Sequence, residues 1–202
     1  MSTATEWMRD HVWPEIQAMM LNDANFRLVQ TARQLTRKFN GPTAKLIQDG
    51  YLTYQMTAIR RLCDKRDDVF SLRKALEEAE KEKPNFKPQM DQLLRDLLSK
   101  CDHVCTQVNK HIAHTARPDN RFVPWNMGMQ HLDDAHQAIC HTAIILGHDI
   151  LDWADFPSAE IIPVLQDYFG EDLMLWVPEQ FQQQLNQVWY DNCKRVNAWK
   201  RL

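Results

Sequence analysis

Apolar residues recur along this chain every three or four positions, the spacing that gathers them on one face of an α-helix. Phe26, Val29, Leu35 and Phe39 mark one side of a helix over 23–39, which Asn40, Gly41 and Pro42 then stop. Leu46, Ile47, Leu52, Met56, Ile59 and Cys63 define the next, over 43–64. After a charged connection, Ser71 is placed to N-cap a short helix over 72–83, bounded by Pro84 and Pro88. Leu94, Leu97, Leu98, Cys101, Val104, Cys105, Val108 and Ile112 form one broad stripe on a long helix over 88–115. A second long helix, over 124–153, carries Trp125, Leu132, Ile139, Ala143, Leu146 and Ile150. Upstream, 5–21 reads as a helix with a break at Pro14, which has no N–H to donate inside a helix. Shorter pieces close the chain: one from Phe156 to about Phe169, ended by Gly170, and a last one opened by Pro178 with Phe181, Leu185, Trp189, Val196 and Trp199 along a side. The expectation is an all-α, up-and-down helical bundle with two long central helices and additional shorter ones, in a single domain over 1–202. No internal repeat or long linker interrupts it.

Composition narrows the function classes. The net charge of −3 disfavours a bulk nucleic-acid binder and leaves room for a local basic patch. Five cysteines, odd in number and without a CxxC pair, read as reduced thiols in the cytoplasm, not as a disulfide framework or zinc knuckle. The N-terminus carries charges where a signal peptide would be apolar. The longest apolar run, 143–146, is four residues, far short of a membrane span. No P-loop, GxGxxG, GxSxG or HExxH occurs, so no cofactor is expected.

Chemistry concentrates in Val108-Asn109-Lys110-His111-Ile112-Ala113-His114-Thr115. His111 and His114 are three apart and therefore neighbours on a helix. His103, Gln107, Lys110 and His114 fall in a row opposite the Leu97–Val104–Val108 stripe. Imidazoles move protons near neutral pH, and an adjacent ammonium can hold a phosphate. The plain alternative is the wet face of an amphipathic helix, with the histidines favoured by the helix C-terminus.

Asn109-Lys110-His111-Ile112-Ala113-His114 resembles the signature of the HEPN superfamily, often written RNKHxAH. The segments Arg61-Leu62-Cys63-Asp64 and Asp68-Val69-Phe70-Ser71-Leu72 resemble the helix end and loop of its branch linked to type-U abortive phage infection. The resemblance covers roughly 43–117, within a HEPN-like core of about 43–153. It implies a homodimeric helical bundle of a prokaryotic phage-defence or toxin–antitoxin type, with RNA or a nucleotide as ligand and an antitoxin or other protein as partner. Active members are metal-independent ribonucleases in which the RNA 2′-hydroxyl attacks the neighbouring phosphate. Carried over, His114 takes the role of motif histidine and Asn109 that of the polar residue, with His111 accessory. The motif's Arg position holds Val108, which has no charge and belongs to the apolar stripe. Lys110, one turn before His114, is left as the nearest point charge. The alternative function is a non-catalytic helical dimerisation or protein-interaction module.

Two other groups carry candidate chemistry. Asp134, His141, His148 and Asp152 share a helix face, but seven-residue spacing separates ligands by about 10 Å, too far for one ion without ligands from elsewhere. Arg60, Arg61, Lys65, Arg66, Arg73 and Lys74 form the densest basic cluster, with Asp64, Asp67 and Asp68 interleaved, which reads first as a salt-bridged helix end.

Overall fold

The computed structural model describes residues 3–111, 126–153 and 176–198; the helix expected over 156–169 lies outside them. All regular structure among the described residues is helical. The elements are α1 (Ala4–Trp7), a π-helical turn (Met8–Val12), α2 (Trp13–Thr36), α3 (Pro42–Leu62), α4 (Leu72–Glu82), α5 (Lys87–His111), α6 (Met129–Ile144) with a π-helical extension (Ile145–Ile150), and α7 (Gln182–Ala198). No helix among the described residues is long and apolar enough to cross a membrane. The chain divides into two compact units, Met1–Met19 with Thr53–Phe156 and Met20–Leu52 with Pro157–Leu202.

The break expected at Pro14 does not occur. Helical backbone runs from Ala4 to Thr36 without interruption, absorbing the two helices expected on either side of residue 22. The π turn supplies the physical reason. The Trp13 N–H reaches back five residues to the Met8 carbonyl, so the helix is already rewound where Pro14 would leave a gap. The end of α2 is sharp: Arg37 and Phe39 take positive φ, and the Arg33 guanidinium caps the turn by donating from Nε to the Phe39 carbonyl at 3.0 Å. Gly41, at φ 72°, completes the reversal into α3 in a conformation that costs glycine little.

In the first unit α5 packs against α6, and α4 against α1 and α5. Met8, Ile16, Met56, Ile59, Leu62, Leu72, Leu76, Leu97, Leu132 and Ile139 are fully buried. Each such side chain contributes about 1.5–3 kcal/mol by leaving water. The expected stripe of α5 is realised: Leu97, Cys101, Val104 and Val108 are buried. A polar chain crosses this core. Gln55 donates from Nε2 to the Met19 carbonyl at 3.0 Å and accepts from His136 Nε2 at 2.9 Å, all three residues being buried. In the second unit Ala24, Leu28 and Ala32 of α2 form a cluster with Val177 and with Leu185, Trp189 and Cys193 of α7.

Candidate functional site: a cationic cavity at the end of α3

The basic cluster from Arg60 to Lys74 folds into a helix end, a turn and a helix start. Asp64 organises it. Its carboxylate accepts from the Arg66 backbone N–H at 3.0 Å, from Arg60 Nη1 at 2.8 Å and from Arg66 Nε at 3.2 Å. Burial pushes the Asp64 carboxyl up, but these donors and the two cations outweigh it and hold the group below the usual carboxylate range. Ser71, fully buried, caps α4 as expected, accepting from the Lys74 N–H at 3.1 Å. The same hydroxyl donates to the Asp64 carbonyl at 2.7 Å and so ties the two helices together. Phe70, at the end of the turn, stacks on His11 and meets Trp7 edge-on, with ring centroids 3.7 and 5.2 Å away.

Part of the cluster is neutralised as the interleaved acids suggest. Lys74 pairs with Asp67 and Glu77 at 2.6 and 2.7 Å, and these bonds raise its pKa. Arg61 pairs with Glu15. Arg60, Lys65, Arg66 and Arg73 line a cavity of about 430 Å³ together with the carboxylates Asp64 and Asp102; Arg60 and Arg66 share Asp64, and Arg73 also pairs with Glu77 at 3.2 Å, outside the lining. Its α5 wall is Leu98, Cys101, Cys105 and Asn109, spaced three or four apart on one helix face, with Asp102 beside them. Arg60 Nε donates to Asn109 Oδ1 at 3.2 Å. A guanidinium from α3 thus stands beside the polar residue of the motif-like segment, 49 positions away in sequence.

The motif residues separate. Asn109 is half-buried on the cavity wall, Lys110 is exposed, and His111 is half-buried. Neither Lys110 nor His111 lines the cavity. Val108 is buried at 4% exposure, in the apolar stripe as its position on the wheel implied. His114 lies outside the described residues.

The polar row opposite the stripe is wet in part: Lys110 is exposed, whereas Gln107 is covered. Gln107 is buried, and its side chain accepts from the Asn126 N–H at 3.4 Å. His103 donates from Nε2 to the Asn126 carbonyl at 2.6 Å and lies 4.1 Å from the His131 ring. The segment entering α6 covers this side of α5, which a wheel of α5 alone cannot register. On α6, Asp134 accepts from Gln130 at 2.8 Å, while His148, in the π-helical extension, pairs with Asp149 at 2.8 Å. Among the described residues Asp134, His141 and His148 do not converge on one point.

Arg60 is the functional candidate that sequence reading underrated. It was visible as a member of the densest basic cluster. Its pairing with Asn109 had no local signal. Compared with protein-family models, curated proteins and solved structures, the chain matches none.

Proposed function

We propose that this chain is a HEPN-like helical protein that binds RNA by its phosphate backbone at the cavity between the end of α3 and α5. The observation that carries this reading is the Arg60–Asn109 contact. It supports a guanidinium from α3 standing in for the Arg that the segment lacks at Val108. Arginine suits the role, because its planar donors match two phosphate oxygens at once. Asp64 and Asn109 restrain Arg60, lowering the entropy lost when it takes a phosphate. Lys65 and Arg66 add local positive field that the overall charge of −3 conceals. The resemblance adds the wider setting of a cytoplasmic homodimer of phage-defence or toxin–antitoxin type, with a protein antitoxin as partner. In its catalytic form, His114 serves as general acid/base for attack of the RNA 2′-hydroxyl.

Fluorescence anisotropy with mixed-sequence single-stranded RNA tests the binding. Arg60→Ala should weaken affinity by roughly tenfold and lower the salt slope by about 0.7. Arg60→Lys should recover the slope but not the full affinity. A larger loss from Lys110→Ala than from Arg60→Ala would move the phosphate site to the end of α5. Cleavage is read separately, in chelator, beside His114→Ala; equal background rates in both proteins would discard the enzyme.

A second reading has its own observation. Val108 is buried with the core of α5, so the motif's usual charge is absent from its own helix. A protein-interaction module without chemistry accounts for that directly. It predicts dimerisation without RNA affinity.

A further inference from the structure

The turn that bears Lys65 and Arg66 also presents an aromatic ring to solvent. Phe70 is 48% exposed, although the two residues after it, Ser71 and Leu72, are fully buried. Its ring stacks on His11 with planes 19° from parallel and meets the half-buried Trp7 edge-on. His11, in the π-helical turn, is itself exposed, so both members of the stack reach water. The turn is closed by two bonds. The Val69 N–H donates to the Arg66 carbonyl at 3.3 Å, and the Ser71 hydroxyl donates to the Asp64 carbonyl. Phe70 and the two exposed cations are therefore held on one reversal, over 64–71.

We propose that Phe70 and His11, backed by Trp7, form a stacking platform for an unpaired RNA base whose phosphate is held by Lys65 and Arg66. This rests on the RNA reading and deepens it: the ligand must be single-stranded. Every base has a π face, so aromatic rings beside a basic surface hold single strands with little regard to sequence. A base inside a duplex is already stacked on both sides and offers no face. The occupant follows from the charges around the rings. Lys65, Arg66, Asp67 and Asp68 are all exposed, so an apolar protein surface would meet charge at each of those positions. A nucleotide brings a flat ring and an anion together, and matches both features of the turn. The acids close by in sequence are largely committed elsewhere: Asp10 to Arg9, Glu15 to Arg61 and Asp67 to Lys74. Asp68 remains on the turn. Stacking tolerates such a charge better than phosphate contact does, because the rings supply affinity without a field.

The test separates bases from backbone. Full-length protein is titrated by fluorescence anisotropy against three labelled probes of equal length: a mixed-sequence single-stranded RNA, the same RNA as a duplex, and an abasic strand that keeps only the backbone. Wild type should bind the single strand about tenfold more tightly than the abasic strand, and more tightly than the duplex. Phe70→Ala should lose roughly that tenfold on the single strand and less than twofold on the abasic one. Its salt slope should not change, because a lost ring releases no counterion. Phe70→Tyr restores the ring and should restore the affinity. Arg60→Ala should weaken binding to both strands. Circular dichroism of each variant establishes its fold, and the wild-type comparison of probes needs no variant. Equal wild-type affinity for the single and abasic strands, a preference for the duplex, or equal losses on both strands in folded Phe70→Ala would each overturn the platform while leaving the phosphate site in place. A wild type that binds none of the probes would overturn the RNA reading and the platform with it.

Discussion

Two aspartates, one in each unit, hold arginines in opposite ways. Asp23 of α2 has a side chain that is 0% exposed; it accepts from Arg27 at 3.2 Å, from Arg195 of α7 and from the Tyr51 hydroxyl at 2.5 Å. Phe26 stacks on Tyr51 with ring centroids 3.7 Å apart. Both of its cations are largely covered, at 23% and 26% side-chain exposure. Asp64 is nearly as buried, at 5%, yet its Arg66 is far more open, at 63%, while Arg60, at 32%, is only slightly more exposed than the arginines of Asp23; both line a cavity. Carboxylate burial therefore does not distinguish a structural ion cluster from an available one. What differs is the far side of the guanidinium. A covered arginine has exchanged water for protein and locks its elements together; an open one is oriented by its carboxylate while its other face stays accessible to an anion.

This contrast breaks most easily at Asp23. Asp23→Ala leaves two largely covered guanidinium groups without their carboxylate and should destabilise by about 3–5 kcal/mol. Urea unfolding followed by circular dichroism reads this, and a change below about 1 kcal/mol would put Asp23 in the same class as an exposed pair. Ser71→Ala should cost about 1–2 kcal/mol, because one hydroxyl both caps α4 and holds the Asp64 carbonyl. It should also weaken RNA binding, since the turn bearing Lys65 and Arg66 loses its anchor; an unchanged affinity would separate the turn from the proposed site. The smallest effect is expected from Asp64→Asn, of the order of 0.5 kcal/mol near neutrality, because one of its cations is largely in water. Its pH dependence has a definite sign. The folded pKa is depressed, so the charged form stabilises above the ordinary carboxylate range of about 3.9, and that stability is lost as pH falls through the depressed value. Wild type and Asp64→Asn should consequently converge on acidification, and thermal melts from pH 7 downward check it. Divergence on acidification would mean that the carboxylate opposes the fold.

Much of the architecture was legible before any coordinates. The stripe of α5, the later half of that of α3, the Ser71 cap, the reversal at 40–42 and the burial of Val108 follow from period and capping chemistry, whereas Leu46 of the expected α3 stripe is 73% exposed. The failures share a cause. Pro14 reads as a break because a regular α-helix needs its N–H; the π turn that removes the need depends on the register of the residues before it. Gln107 reads as wet because α5 alone has no neighbour there, and α6 supplies one. The salt-bridged helix end expected at Arg60 is present, in its pair with Asp64, but the added bond to Asn109 on α5 could not be read locally.

Helix content, helix faces and the motif-like segment at the end of α5 belong to the sequence, because hydrogen bonds and side-chain neighbours inside a helix span only three to five positions. The company those faces keep does not. Packing across helices joined Arg60 to Asn109, gathered Cys63, Cys101 and Cys105 on one cavity, and left Lys110 outside it. Each of those outcomes depends on contacts between elements tens of residues apart, for which no local period carries a signal.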